Sequence, residues 1–260
     1  MSVRRISSLR PLKNAAGFLI SLGLLCSSFL HAETVVFADD FTSVGSENLN
    51  DNGWYFTHRF AAAKPWMTTT KNTSLLSGTV MSNPGPSSNT GAYKQFPAVP
   101  LTAIGDSITV RMDFQIPDTA TGFYSVALLS SANTISENVF GGEDPISDAA
   151  GYGTKQEFSS GPTSNSYRET VNNAWSGEVL SDLESASEAV NENFEHSYVF
   201  TITRVDSGLQ LDSSIDGVAL ESFTLTGAPQ ASFNTLRLMG PLGNSGFHVD
   251  NIVVSTNSKQ

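Results

Sequence analysis

The chain has 260 residues, with 14 Lys and Arg against 25 Asp and Glu, a formal net charge of -11 and a single cysteine. Only 15% of the residues are charged, against roughly a quarter in an average globular protein, which excludes a solvated disordered tail and a charged, helix-rich protein. The acidic balance excludes nucleic acid as a partner, because a phosphate backbone is bound through clustered cations. One cysteine excludes a disulfide framework and a zinc-thiolate site.

The first 32 residues have the pattern of a secretory signal peptide. Four Lys and Arg residues precede an apolar run over 15–30, and Ala32 then offers a small residue for cleavage. Three serines interrupt the run, which therefore falls short of the ~20 apolar residues that a membrane span requires. We expect a secreted protein, periplasmic or extracellular, with no membrane span and with one domain over residues 33–260.

Apolar and polar residues alternate along much of the remaining chain. Residues 107–116 alternate strictly, with Ile108, Val110, Met112, Phe114 and Ile116 on one side. A period of two predicts a strand with one solvated face. Weaker versions of the pattern predict strands at 34–38, 54–60, 75–81, 92–96, 124–128, 152–158, 166–171, 233–239 and 247–255.

One segment is a candidate for a helix. Over residues 178–190, Leu180, Leu183 and Ala186 lie three apart among acidic residues. We expect a short surface helix or an acidic loop.

Residues 198–225 contain the clearest local signal. Three runs of strand-forming residues, 198–205, 209–215 and 218–225, are separated by Asp206-Ser207-Gly208 and by Asp216-Gly217. Asp-Gly favours a two-residue hairpin, because both positions tolerate positive φ. The runs therefore predict an antiparallel meander, and all the elements together predict an all-β protein, a two-sheet antiparallel β-sandwich of jelly-roll type.

Three segments resemble the concanavalin A-like superfamily of lectins and glucanases, particularly its LamG-like jelly-roll domains. They are FADDF at 37–41 with NGW at 52–54, then 201–220, then FHVDNIVVS at 247–255. The resemblance implies that the first and last strands lie side by side and that the middle segment is a hairpin. It does not imply one activity, because this architecture hosts lectins, hydrolases, lyases and adhesive modules.

The same resemblance implies a metal site. In many members a structural Ca²⁺ joins the N-terminal segment to the last strand, and Asp250 is similar to the residue that supplies it. Asp39 and Asp40 would be the other ligands. Calcium suits such a site, because it takes 6 to 8 oxygen ligands at ~2.4 Å. The alternative is that Asp39 and Asp40 cap a turn and that Asp250 hydrogen-bonds a neighbouring loop.

No catalytic residue is predicted. Glucanase members carry E-x-D-x-x-E on one strand, which places alternate carboxylates in one groove, and the acidic residues of this chain show no such spacing. Patterns for a nucleophilic serine, a zinc protease or a phosphate-binding loop do not occur either.

Aromatic and cationic side chains are the candidates for sugar contact, because an aromatic face stacks on the C-H face of a pyranose. Tyr167 and Trp175 lie in a polar, loop-rich region and are expected to be more exposed than Trp54, which is expected in the core. The alternative for each aromatic residue is packing in the core or at its rim. Lys155, Glu157 and Arg168 alternate with aromatic residues on two neighbouring strands, and we predict that they line a groove for an acidic polysaccharide.

The leading hypothesis is a secreted, non-catalytic β-jelly-roll module that binds a polysaccharide or cell-surface glycan, or mediates a matrix interaction. Two alternatives stay open. One is a polysaccharide-active hydrolase or lyase with its site near Lys155, Glu157, Tyr167 and Arg168. The other is a purely structural envelope protein.

Overall fold

The computed structural model describes residues 32–42, 49–58, 66–82, 91–115, 122–141, 146–158, 164–170, 178–183, 195–220, 222–227, 229–240 and 247–258. The chain divides into two compact units, Met1–Leu30 and His31–Gln260, and every described residue belongs to the second. Within these ranges, no helix is long and apolar enough to cross a membrane.

The described residues form one 3₁₀ helix, Leu49–Asn52, and 17 strands. The strands are β1 (Thr34–Asp39), β2 (Trp54–His58), β3 (Met67–Asn72), β4 (Ser77–Ser82), β5 (Gly91–Pro100), β6 (Ser107–Gln115), β7 (Gly122–Ser130), β8 (Val139–Phe140), β9 (Ala150–Phe158), β10 (Ser164–Thr170), β11 (Glu178–Leu183), β12 (Glu195–Val205), β13 (Gly208–Ile215), β14 (Val218–Ala219), β15 (Phe223–Thr226), β16 (Ser232–Met239) and β17 (His248–Thr256).

Two sheets contain all of these strands. Sheet A has the order β14-β13-β12-β6-β17-β4-β3, with β1 paired to β17 and β15 paired to β13. Sheet B has the order β11-β10-β9-β7-β16-β5-β2-β8. The pairing is antiparallel except between β2 and β8, and the predicted two-sheet β-sandwich is confirmed.

The sheets face each other across one large apolar core. Strand β6 has Ile108, Val110, Met112 and Phe114 buried on one side, as its strict alternation predicts. Across the core, the Phe114 ring lies 4.9 Å from the ring of Tyr124 on β7. The inward side chains of the two sheets meet in this core. Along each strand, the residues that alternate with them point out of the sandwich. We call these two solvent-side surfaces the outer faces of sheets A and B.

The first and last strands are neighbours, as the resemblance implied. β1 pairs antiparallel with β17, with Phe37 opposite Val254 and Asp39 opposite Ile252. The indole Nε1 of Trp54 donates a hydrogen bond of 2.8 Å to the Asp39 carboxylate, which fixes the start of β2 against β1. Trp54 itself is fully buried, as expected for a core residue.

The predicted meander is confirmed with one correction. β12, β13 and the strands after them are antiparallel neighbours, and the turn at Asp216 and Gly217 has φ of 52° and 78°, the positive values that Asp-Gly tolerates. The expected single strand over 218–225 is two strands, β14 and β15, that pair separately with β13. The hairpin therefore breaks after Ala219 and resumes at Phe223.

The helix expected over 178–190 is wrong for the part that the structure describes. Glu178–Leu183 forms strand β11 at the edge of sheet B, paired with β10, whereas residues 184–190 lie outside the described residues. A register shift between Tyr167 and Arg168 interrupts the pairing of β10 with β11. Three-residue spacing of leucines is thus also compatible with an edge strand that contains a bulge.

Candidate functional site

Strand register decides which residues share the outer face of sheet B. On β9, Tyr152 and Thr154 contact core groups, with the Tyr152 ring 6.3 Å from that of Phe233. Gly153 and Lys155 alternate with these two residues along β9 and therefore lie on the outer face of the sheet. Reading across the hydrogen-bonded strands from Gly153 gives one outward row, Arg168, Gly153, Ala127, Arg237, Tyr93 and Tyr55.

This row places two arginines on opposite sides of a floor of small residues. Gly153 and Ala127 lie between Arg168 on β10 and Arg237 on β16, so the two arginine positions are three strand spacings apart, about 14 Å. Lys155 lies in the next outward row, beside Ser166 and Ser125. The sheet thus brings together three cations that are far apart in the sequence.

The two predicted cations are accessible and held by neighbours. The Nζ atom of Lys155 lies 4.5 Å from the centre of the Phe123 ring, within the range of a cation-π contact. Arg168 donates a hydrogen bond of 2.8 Å from Nε to the Ser166 hydroxyl. Both side chains are half-buried, so each head group is fixed in position and still reachable from solvent.

Two other predicted site residues are only partly testable. Glu157 occupies an outward position on β9, opposite Phe123 on β7, but its side chain lies outside the described residues. Trp175 also lies outside them.

The structure supports the core-packing alternative for Tyr167 rather than its role as a sugar contact. Its side chain is fully buried, its hydroxyl shares a hydrogen bond of 3.1 Å with Ser213 on sheet A, and its ring lies 6.4 Å from that of Phe200. Tyr167 and Arg168 are consecutive residues of β10, so their side chains point to opposite faces of the sheet. Tyr167 therefore belongs to the core and cannot contact a ligand on the face that carries Arg168.

Sequence reasoning missed Arg237, the most sheltered cation of the outward row. Its side chain is 3% exposed, and Nη2 donates a hydrogen bond of 3.0 Å to the hydroxyl of Thr170 on β10. The available signal was one arginine in the apolar run over 233–239, between Leu236 and Leu238. Alternation alone assigns it to the outer face, but its approach to β10 depends on the strand order.

The connection between β7 and β9 covers part of the outer face of sheet B. Ile135, Ile146 and Ala149 of this connection pack on Tyr93 and Leu129. Asp148 holds the start of the connection, because its carboxylate accepts hydrogen bonds from the Ser131 hydroxyl (2.7 Å), the Ala132 amide (2.7 Å) and the Asn133 side chain (3.0 Å). Burial alone raises the pKa of Asp148, but these bonds outweigh it and lower the pKa below its ordinary value. Of the three cations on this face, Arg237 is buried, and Lys155 and Arg168 are half-buried.

The carboxylates predicted to bind calcium are occupied by protein donors. Asp39 accepts from Trp54 and from the Phe41 amide, and Asp40 accepts from Thr42. Asp250, which is 2% exposed, accepts from the amides of Ser77 (3.3 Å) and Asn251 (2.8 Å).

The carboxylate of Asp250 interacts with other acidic side chains. Burial raises the pKa of Asp250, and the charges of Asp113 and Asp40 raise it further. Across the residues that the structure describes, no group of three or more His, Cys, Asp or Glu side chains is arranged to hold a metal ion. The calcium site therefore stays a prediction.

Comparison with solved structures identifies the fold. The chain is similar to the carbohydrate esterase vb_24B_21 from the Shiga toxin-encoding bacteriophage phi24B, with a TM-score of 0.53 at 17% identity over 87% of this chain and 100% of that chain. It is also similar to the endo-β-1,4-glucuronan lyase from the fungus Trichoderma reesei, with a TM-score of 0.50 at 12% identity over 87% and 100%. A mutant of the Emp46p carbohydrate recognition domain matches with a TM-score of 0.50 at 10% identity over 83% and 93%.

These likenesses show the fold of the chain. The chain has the concanavalin A-like jelly-roll fold that the sequence resemblance implied. No family model and no curated protein matches the sequence.

Proposed function

We propose that this protein is a secreted, non-catalytic module that binds polysaccharide on the uncovered part of the outer face of sheet B, at a cell surface or in a matrix. One observation carries the proposal. In a chain of net charge -11, the strand register gathers Lys155, Arg168 and Arg237 on one face, with the Phe123 ring under Lys155.

The chemistry of the face suits a sugar polymer with acidic groups. Two half-buried cations can each bind a carboxylate or sulfate through charge-assisted hydrogen bonds, which are stronger than neutral ones. Lys155 and Arg168 lie on the adjacent strands β9 and β10, so one acidic sugar chain can contact both half-buried cations. The similar structures, an esterase, a lyase and a carbohydrate recognition domain, are compatible with a carbohydrate ligand.

Affinity electrophoresis through gels containing polygalacturonate, a sulfated glycan or a neutral glucan tests the proposal. We expect the acidic polymers to retard the protein and the neutral glucan to have a smaller effect. The double variant Lys155→Ala/Arg168→Ala should weaken retardation by about tenfold or more, since each charge-assisted bond is worth about 1.5 to 3 kcal/mol.

Arg111→Ala is the matched control, because Arg111 is an exposed arginine on the outer face of sheet A, paired with Glu33. It should leave retardation unchanged. The control removes one charge and the double variant two, so a loss in the control of about half that in the double variant would show that net charge alone is responsible. Absence of retardation by every polymer would contradict the proposal and favour the purely structural alternative.

The catalytic alternative has its own test. A lyase needs a base near the sugar, often Tyr or His. His196 lies against Phe114 in the core and His248 lies on sheet A, so the half-buried Tyr55 of the outward row is the candidate base on the outer face of sheet B. Incubation with the same polymers should release neither reducing ends nor unsaturated uronate. Release of either product would replace the binding module by an enzyme on the same fold.

The calcium hypothesis keeps a separate test. If Asp250 and its neighbours bind calcium as a structural ion, EGTA lowers the melting temperature, and adding calcium restores it. An unchanged melting temperature would remove calcium from the proposal without affecting the polysaccharide site.

A further inference from the structure

A small cavity lies between the two sheets, on the core side of β9. Its volume is about 10 Å³. Its lining comes from both sheets and contains more polar than aliphatic residues: Tyr124, Thr154, Gln156, Ser166, Tyr198, Ser213, Ile215 and Leu220. Amide and hydroxyl groups at a cavity between two sheets are unusual, because most of the buried side chains around them belong to one apolar core cluster.

Hydroxyl groups join the sheets around this cavity. Thr154 on β9 shares a hydrogen bond with Tyr198 on β12, and Tyr167 on β10 shares one with Ser213 on β13. Burial raises the pKa of Tyr198 far above its ordinary value, so its hydroxyl stays protonated and neutral. Each hydroxyl has one donor and two acceptor sites, so one hydrogen bond leaves capacity for another.

Gln156 is the group that this arrangement leaves unsatisfied. Its side chain is 2% exposed, and neither Nε2 nor Oε1 has a hydrogen-bond partner among the residues that the structure describes. A buried amide with both atoms unpaired is strongly unfavourable, and native proteins rarely retain one. Because Gln156 lines the cavity together with the hydroxyls, a bound molecule within the cavity can satisfy it.

We propose that one ordered water molecule occupies this cavity and bridges the Gln156 amide to the hydroxyl groups that join the two sheets. The volume admits about one water, which needs roughly 10 to 15 Å³ by this measure and two to four polar partners. The lining is neutral, and a water can both accept from Nε2 and donate to Oε1 or to a hydroxyl oxygen. The water completes a polar connection between β9 and sheet A, independently of any ligand on the outer face.

A crystal structure of the full chain at high resolution tests the proposal directly. We expect one water peak within about 3 Å of a Gln156 amide atom and of at least one hydroxyl of Thr154, Tyr198 or Ser213. An empty cavity, or a peak with the many short oxygen contacts of a metal ion, would overturn it.

The sign of a stability change gives a second test. Leucine cannot hydrogen-bond, so Gln156→Leu displaces the water and leaves the surrounding hydroxyls without it. The melting temperature should fall by at least about 2 °C. In a dry cavity, the same change removes an unpaired amide from the core, and the melting temperature would stay the same or rise, which contradicts the proposal.

Gln210→Leu is the matched control for this substitution. Gln210 lies on a strand of sheet A, half-buried, with an amide that bonds the Asp212 carboxylate at 3.0 Å. The control should change the melting temperature by less than Gln156→Leu does. If Gln156→Leu does not fold, the crystal structure of the unsubstituted protein still decides the question.

Discussion

The two outer faces of this sandwich are built from the same alternation and differ in how much solvent reaches them. On sheet A, Arg111 is exposed and pairs with Glu33, whereas Thr109, whose hydroxyl lies 3.1 Å from that of Thr201, is buried. On sheet B, the outward residues Arg237 and Thr170 are 3% and 1% exposed. An outward position is therefore not equivalent to a solvated one.

The cause of the difference is the connection between β7 and β9. Its residues Ile135, Ile146 and Ala149 place an apolar layer on part of the outer face of sheet B. This layer shelters one part of the face, where Arg237 is buried, whereas Lys155 and Arg168 are half-buried. Half-buried cations such as Lys155 and Arg168 can hold an acidic ligand better than the exposed Arg111 of sheet A, because charges that are partly removed from water interact more strongly.

The largest expected effect contrasts the two arginines at the centres of the outer faces. Arg237→Ala removes a buried side chain and leaves the Thr170 hydroxyl without its donor, so we expect the free energy of unfolding to fall by roughly 3 to 4 kcal/mol. Arg111→Ala removes an exposed ion pair and should cost less than about 1 kcal/mol. Urea unfolding followed by tryptophan fluorescence measures both, and similar costs would contradict the distinction between the faces.

We expect a fall in pH to lower the stability of the protein through His248, which lies on β17 of sheet A. Burial, with a smaller contribution from the charge of Lys71, lowers the pKa of His248 to about 4 from 6.5. Between these two pKa values, His248 is therefore protonated in the unfolded chain and neutral in the folded chain. Stability is complete above pH 6.5 and decreases as the pH falls toward 4, by roughly 3 kcal/mol.

His248→Gln provides the control for the acid effect. It should remove most of the pH dependence between 6.5 and 4 in urea unfolding experiments, whatever it does to stability at pH 7.5. A slope that persists in the variant would assign the acid sensitivity to another group.

The close approach of β7 and β9 in sheet B gives a smaller effect. A Cβ atom on Gly153 would lie 2.3 Å from the carbonyl oxygen of Val126 and 2.7 Å from Cα of Ala127. Gly153→Ala should therefore cost about 2 kcal/mol, because backbone atoms cannot move aside as a flexible side chain does. Val199→Ile adds one carbon on half-buried β12 of sheet A and should change stability by about 0.5 kcal/mol or less. Comparable changes in melting temperature would count against the tight packing of sheet B.

Sequence reasoning recovered the parts of the fold that alternation controls directly. β6 was predicted because its apolar residues alternate without interruption, whereas β3 was missed because its residues, MTTTKN, are nearly all polar. β11 was mistaken for a helix because the three-residue spacing of Leu180 and Leu183 fits both structures. In each case the local pattern was ambiguous, and pairing with a neighbouring strand decided the outcome.

The candidate site was recovered only in part, for a related reason. Lys155 and Arg168 could be identified because β9 and β10 are consecutive strands, so they were expected to be neighbours. Arg237 could not, because β16 enters sheet B between β5 and β7, an order that no local pattern specifies. Tyr167 was misplaced although alternation with Arg168 already assigns the two residues to opposite faces.

The smallest expected effect concerns Asp148, which holds the covering connection of sheet B. Its lowered pKa means that the folded chain favours the charged carboxylate, so its contribution is present above about pH 4 and is lost as the pH falls through the lowered value. Asp148→Asn replaces one acceptor oxygen by an NH₂ group facing donors from 131–133, and because Asp148 is exposed the cost should stay under about 1 kcal/mol. The loss should be local: hydrogen exchange at the Ala132 amide should accelerate, while amides of β6 and β12 in sheet A keep their protection. Uniform acceleration in both sheets would mean that the connection is part of the global folding unit rather than a separate cover on sheet B.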